Sequence, residues 1–299
     1  MRVVVLLLVV LSLVSFAACT PDATDSRPLL LVTFYPLADI TSAIVGEDVR
    51  VVSLVPSGVE PHDYELTPQN LRDASEAAAF VTLGLSFSPL EERVVASSRP
   101  PTAVDAGQRL TLLDATDAPN GNELEEGRGK DPHVWLSPTN MQTMTDNVVA
   151  GLVAAFPERK TVFETRATAY KARLGELDTE FKSGLASCAK DTIIVNHAAF
   201  AYLAHDYGFT QVAISGLEPE ADVSPSVLRR VIEEAKANDV KHVFYEELAD
   251  PRLVQTIASD IGATPLELSP IEGTRNPGDD YVSMMRRNLV NLRIALDCR

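Results

Sequence analysis

Residues 157–187, PERKTVFETRATAYKARLGELDTEFKSGLAS, lie near the middle of a chain of 299 residues and indicate how its two halves are connected. This segment has proline only at its start, and apolar side chains such as Tyr170, Leu174 and Leu177 recur at helical spacing. About thirty residues of α-helix span about 45 Å, whereas a flexible linker is short and rich in glycine and serine. The segment therefore predicts a long, rigid linking helix between two halves of the chain.

The two halves share one pattern, in which short β-branched apolar runs alternate with stretches of helical periodicity. Strands are predicted in the first half at 29–34, 49–55, 78–83 and 102–105, and in the second half at 192–195, 211–214, 240–245 and 264–268. This alternation is typical of βαβ units around a parallel sheet. We expect an α/β protein of two lobes, residues 28–156 and 188–299, each a small parallel sheet flanked by helices and joined by one long rigid helix.

The first residues predict export. Arg2 precedes an apolar run that ends at Cys19, and this run is too short for a bilayer-spanning helix of about 20 residues. Residues 1–18 therefore read as a signal peptide, and the small residues before Cys19 favour its cleavage and lipidation. We expect a lipid-anchored protein on the outer face of a bacterial cell membrane. The alternative is a periplasmic or secreted protein without lipid on Cys19.

Charge and the remaining cysteines agree with an exported protein. The chain has 42 acidic and 26 basic residues, a net charge of −16, which disfavours nucleic acid as a partner and attracts cations weakly. Cys188 and Cys298 are the thiols that follow Cys19, and disulfides persist outside the cytoplasm. A bridge would close a loop of about 110 residues and stabilise the fold by about 4 kcal/mol. Whether the two are bridged stays open, because sequence does not give their separation.

Three of the five histidines occupy turns flanked by proline or asparagine. His62 follows a predicted strand, His133 precedes a helix that Ser137 caps, and His197 follows the strand 192–195 and heads a helix predicted at 198–207. Each alone is well explained as an ordinary turn residue. Loops at the carboxyl ends of parallel strands share one crevice, however, so together the three histidines predict a metal site between the lobes.

Asp279, in the loop 276–279, is the candidate for a fourth ligand. Three imidazoles and one carboxylate suit tetrahedral Zn²⁺, whereas Mn²⁺ prefers more oxygen ligands. We expect Asp131 to accept a ring N–H of a ligand histidine, and Glu246 either to do the same or to cap a helix. His205, near a helix end, and His242, at the far end of its strand, are expected to be structural.

Four motifs carry a resemblance: GVEPHDYE at 58–65, DPHVWL at 131–136, NHAAF at 196–200 and DDYVSMM at 279–285. In this order they resemble the substrate-binding lipoproteins of bacterial zinc and manganese ABC importers, also called the adhesin-like group. The resemblance covers nearly the whole chain after residue 18. It implies His62, His133, His197 and Asp279 as ligands, a membrane permease as partner, and a monomer.

The third ligand position separates the metals within this family. Manganese members resemble this chain but have glutamate where His197 stands, so the resemblance implies zinc, with manganese as the alternative. Two features depart from the pattern. The segment 115–130 is acidic but lacks the histidines that many zinc members have there, and Asp280 beside Asp279 makes the fourth ligand ambiguous.

Two functions from different classes fit these residues. The first is capture of Zn²⁺ outside the membrane and delivery to a permease, for which a closed four-ligand site is suited. The second is a zinc-dependent hydrolase with three histidine ligands and Glu60 or Glu246 as general base. The chain has no His-Glu-x-x-His motif, so the sequence favours a binding protein that is not an enzyme. An adhesion role, ascribed to some relatives, has no support in these residues.

Overall fold

The computed structural model describes residues 25–85, 89–98, 102–115, 129–219, 222–274, 276 and 278–299. The predicted signal peptide at 1–18, the predicted lipidation site Cys19 and most of the acidic segment 115–130 lie outside these residues. Within the described part of the chain, no helix combines the length and the apolar character that crossing a membrane requires.

The first lobe is a parallel sheet with helices on its faces. Its strands pair in the order β2-β1-β3-β4, and every residue of the central strands β1 and β3 is buried, as expected for mostly apolar strands with helices on both faces. The strands are β1 (Leu29–Val32), β2 (Arg50–Ser53), β3 (Ala79–Thr82) and β4 (Ala103–Asp105). The helices are α1 (Tyr35–Val45), α2 (Pro68–Glu76), α3 (Pro89–Ser98) and α4 (Pro138–Ala155).

The linking segment begins with a 3₁₀ turn at Pro157–Arg159 and continues as helix α5 (Lys160–Gly184). Its buried side chains recur every three or four residues and include Phe163, Leu174 and Phe181. This face packs against α1 and α4 of the first lobe. The predicted long helix is therefore present, and it is held along its length by packing. The exact lobe limits at 156 and 188 stay a prediction.

The second lobe repeats the topology of the first. Its strands pair in parallel in the order β6-β5-β7-β8, which confirms the predicted α/β architecture of two small parallel sheets. The strands are β5 (Thr192–Val195), β6 (Thr210–Ala213), β7 (His242–Tyr245) and β8 (Thr264–Glu267). The helices are α6 (Ala201–Tyr207), α7 (Pro225–Ala237), α8 (Arg252–Ile261) and α9 (Tyr281–Ala295).

Two details of the second lobe bear on the predictions. Helix α6 begins at Ala201, three residues later than expected, and in the preceding turn the Ala198 and Phe200 backbone N–H groups donate to the Gly216 carbonyl and the Gln211 side chain. Cys188 and Cys298 are joined by a disulfide. This bond ties the chain after α9 to the residues just before β5, where the backbone also pairs through the Arg299 N–H and the Ser187 carbonyl.

One hydrophobic core contacts both lobes. Leu30 and Val32 of β1, side chains of α5, and Ile193 of β5 belong to the same buried cluster, and α5 also packs against α9. A shared core couples the positions of the two lobes more tightly than a flexible linker does. The crevice between the lobes is therefore built on a rigid base.

Candidate metal site

Four side chains meet in the crevice between the lobes: His62, His133, His197 and Glu272. Each belongs to a connection that leaves the carboxyl end of a strand, namely β2, β4, β5 and β8. Each lobe contributes two of these strands, so both lobes are needed to form the cluster. Parallel α/β sheets bind ligands at this edge, because their loops converge there. The three predicted histidines are thus brought together.

The spacing of the donor atoms matches a tetrahedral ion. The His62 Nε2 atom lies 3.3 Å from the Glu272 Oε1 atom, and the Nε2 atoms of His133 and His197 are 3.3 Å apart. The Glu272 Oε1 atom is also 3.5 Å from His133 Nε2 and 3.8 Å from His197 Nε2. Zinc bonds of about 2.0–2.1 Å in tetrahedral geometry place ligands about 3.4 Å apart. All four donor atoms lie within 4.8 Å of one another, so an inward movement on the order of 1 Å would complete a coordination sphere.

Burial is uneven around the cluster. The side chains of His133, His197 and Glu272 are inaccessible to solvent, whereas that of His62 is 13 % exposed. An ion entering from solvent therefore meets His62 first. Burial opposes the ionisation of Glu272, but the adjacent His62, His133 and His197 rings hold its pKa well below the usual range.

Two carboxylates orient two of the rings in the same way. The Asp131 Oδ1 atom accepts hydrogen bonds from the His133 backbone N–H and ring Nδ1, both at 2.8 Å. The Glu246 Oε1 atom accepts from the same two groups of His197, at 3.2 and 2.7 Å. Because Nδ1 donates to the carboxylate, Nε2 is the ring atom directed into the cluster, where it can bind a metal ion once it carries no proton. Of the two roles considered for Glu246, the structure shows the ring partner.

The negative charges also change the proton affinity of the site. Burial lowers the pKa of His133, but Asp131 and Glu272 raise it by more, to about 10. Glu60 lies at the edge of the site, where its Oε1 atom accepts the His62 backbone N–H at 3.2 Å. Burial and the charge of Glu272 raise the pKa of Glu60 to about 9. Without a bound metal ion, His133 and Glu60 therefore both carry a proton at neutral pH.

The structure does not bring Asp279 to the histidines. Its carboxylate accepts two hydrogen bonds from Arg287 on α9, at 3.0 and 2.7 Å, and this pairing keeps its pKa below the usual value. Asp280 caps α9 by accepting the Ser283 backbone N–H at 2.7 Å. The fourth place in the cluster belongs instead to Glu272, seven residues earlier in the same β8–α9 connection.

A signal for Glu272 was present in the sequence. It lies five residues after β8, between Ile271 and Gly273, and so satisfies the strand-end rule that selects the three histidines. In the motif at 279–285, Asp280 is the cap of α9 and Asp279 pairs with Arg287, so neither carboxylate belongs to the cluster. The remaining histidines lie outside the cluster: His205 is exposed beside Asp206 in the last turn of α6, and His242 opens β7.

Two α/β lobes on a helical base, with three imidazole nitrogens and a carboxylate buried between them, define the class of two-lobe proteins that hold a metal ion in the crevice. Comparison with known proteins identifies the family within this class. The chain belongs to the ZnuA family, described as "Zinc-uptake complex component A periplasmic", which matches residues 30–295.

Relatives and a solved structure agree with this assignment. The zinc-binding protein AdcA of Streptococcus pyogenes serotype M1 is 32 % identical over 292 residues, covering 91 % of this chain and 57 % of AdcA. The chain thus spans little more than half of that relative. The high-affinity zinc uptake system protein ZnuA of Bacillus subtilis strain 168 is 31 % identical over 286 residues, covering 92 % of this chain and 89 % of ZnuA. The Zn(II)-bound ZnuA-like domain of Streptococcus pneumoniae AdcA superposes with a TM-score of 0.76 at 30 % identity, covering 91 % of this chain and 99 % of that domain.

Proposed function

We propose that this protein captures Zn²⁺ outside the cytoplasm in the crevice between its lobes and delivers the ion to the permease of an ABC importer. The observation that carries the proposal is the cluster of His62, His133, His197 and Glu272, of which all but His62 are buried and whose donor atoms are close enough to share one ion. The relatives named for zinc binding and zinc uptake support it.

The donor types favour zinc over manganese. Imidazole nitrogen is a borderline donor and carboxylate oxygen is a hard donor. Zn²⁺ accepts three of the first with one of the second, whereas Mn²⁺ selects sites richer in oxygen. Four protein donors also fill a tetrahedral sphere, as in sites that hold the metal, while catalytic zinc sites use three protein ligands and a water. We therefore propose a binding protein rather than a hydrolase, and a monomer, as the family resemblance implies.

The proposed location follows from the beginning of the chain. The apolar run that ends at Cys19 has the features of a signal peptide cleaved before a lipidated cysteine. We propose that lipid on Cys19 anchors the protein to the outer face of the membrane, where the permease lies. A tether at this end leaves both lobes in the compartment from which zinc is collected.

Zinc titration of protein stripped with a chelator tests the proposal. We expect one ion per chain, displacement of Mn²⁺ by Zn²⁺, and stabilisation by about 4 kcal/mol when zinc exceeds its dissociation constant about a thousandfold. Calorimetric titration followed by chemical unfolding measures both. A protein that unfolds at the same denaturant concentration with and without zinc, or that prefers manganese, contradicts the proposal.

The charge on His133 predicts proton release on binding. With a pKa of about 10, His133 holds a proton at pH 7, and its Nε2 atom must lose that proton to bind zinc. Binding should therefore release about one proton below pH 10, and zinc affinity should rise with pH by up to about tenfold per unit in that range. Calorimetry in two buffers with different ionisation enthalpies measures the release.

The matched variant for this measurement is Asp131→Asn, which removes a negative charge that raises the His133 pKa. We expect it to release fewer protons than the wild type at pH 7. Identical binding heats in the two buffers for the wild-type protein would show that His133 is already neutral and would contradict the prediction.

A further inference from the structure

Trp135, the only tryptophan of the chain, connects the two lobes beside the site. It lies two residues after His133, and its ring N–H donates a hydrogen bond of 2.7 Å to the carbonyl of Pro270. Pro270 lies two residues before Glu272. One buried side chain of the first lobe thus contacts the segment of the second lobe that carries the carboxylate.

A second bond runs in the opposite direction. The Tyr281 hydroxyl, at the start of α9, donates to the Trp135 carbonyl at 2.7 Å, and both side chains are completely buried. The Phe34 ring packs edge-on against Trp135 with ring centres 4.8 Å apart. We refer to Trp135, Pro270 and Tyr281 as the interlobe clamp.

The segment before Glu272 needs support to keep its conformation. Ile271 has a φ of 57°, in the left-handed region that a β-branched residue rarely adopts. Within the second lobe, the Asn288 side chain binds the N–H and the carbonyl of Ser269, at 2.9 and 2.7 Å. The Ser269 hydroxyl accepts the Ile271 N–H at 3.0 Å. Trp135 adds the bond at Pro270 from the other lobe.

We propose that the interlobe clamp sets the position of Glu272 relative to the histidines, with Trp135 as a positioning residue for the ion site. The clamp joins the residues that precede Glu272 to the turn that follows His133, so the carboxylate and that imidazole keep their 3.5 Å separation. If a hydrogen bond of the clamp is lost, the backbone of Ile271 can leave the left-handed region, and Glu272 then moves away from the histidine donor atoms. This inference rests on the proposed zinc site.

A double-mutant cycle tests whether Trp135 acts through Glu272. Trp135→Phe keeps an aromatic ring but removes the N–H donor, and it should lower zinc affinity about tenfold, as loss of a ligand-orienting group does. In a Glu272→Gln background, where the carboxylate is already lost, the same change should cost no more than about twofold, the usual error of additivity. Competition with a chelator measures the four affinities.

Tyr281→Phe provides a second variant that removes only one hydroxyl, so the test holds if Trp135→Phe does not fold. Tyr207→Phe is its control, since it removes the hydroxyl of another tyrosine, which donates to Asp178 on α5. With Co²⁺ as the probe, Tyr281→Phe should change the visible absorption bands that report tetrahedral geometry, and Tyr207→Phe should leave them unchanged.

Three results overturn the clamp. One is wild-type affinity in both Trp135→Phe and Tyr281→Phe, and another is an unchanged Co²⁺ spectrum in Tyr281→Phe. The third is an equal loss from Trp135→Phe with and without the Glu272 carboxylate, which indicates a general structural defect. A wild-type protein that binds no zinc overturns the proposed function together with the clamp, so the two failures are distinguishable.

Discussion

Replacing His197 with alanine is expected to lower zinc affinity by at least about a hundredfold. Structural zinc sites with four ligands bind with about 10–16 kcal/mol, so one ligand accounts for about 3 kcal/mol, which is about a hundredfold in affinity. The effect should be large here because the His197 ring is completely buried, oriented by Glu246, and 3.3 Å from the donor atom of His133. Competition against a chelator of known zinc affinity measures the change.

His205→Ala is the matched control for this substitution. His205 belongs to the same lobe, but its side chain is 66 % exposed at the end of α6. It should bind zinc like the wild type. An equal loss of zinc affinity in the two variants would indicate that zinc binds to surface histidines. An unaltered zinc affinity in His197→Ala would contradict the site between the lobes.

Glu272→Gln is expected to lower zinc affinity at least about tenfold, because the amide keeps the shape of the side chain but loses its charge. Glu272 is the buried carboxylate whose Oε1 atom lies within 3.8 Å of all three histidine Nε2 atoms. The three histidine rings of the cluster also stabilise the negative charge of Glu272. Titration of the variant with zinc at pH 7 provides the measurement.

Asp279→Asn distinguishes the two carboxylates of the β8–α9 connection. Asp279 pairs with Arg287 near the surface, so its substitution should leave zinc affinity unchanged and at most alter stability slightly, as for other exposed ion pairs. If Asp279→Asn loses zinc and Glu272→Gln does not, the assignment suggested by the sequence motif is restored and the one from the structure is wrong.

Much of the site was predictable because its residues obey local rules. His62, His133 and His197 follow or precede elements whose periodicity is strong, and strand ends in parallel sheets converge on one edge. Asp131 was recognisable as a ring partner because it lies two residues from His133. Both sheets were predictable for the same reason, since β1 and β5 are short apolar runs that are fully buried.

The choice of Glu272 over Asp279 was not predictable, because it depends on the path of a long connection. Glu272 and Asp279 both follow β8 and precede α9, and only the conformation between them decides which carboxylate reaches the crevice. The left-handed conformation of Ile271 is disfavoured by its own side chain, so local preference argues against the observed path. The bond from Trp135 to Pro270 joins residues far apart in sequence and has no local signal.

The most direct test is a crystal structure of the zinc-loaded protein with anomalous data collected at the zinc absorption edge. We predict one strong anomalous peak between the lobes, within about 2.2 Å of the Nε2 atoms of His62, His133 and His197 and of a Glu272 carboxylate oxygen. A peak bound to Asp279 instead of Glu272, or a peak outside the crevice, would contradict the interlobe His₃Glu site.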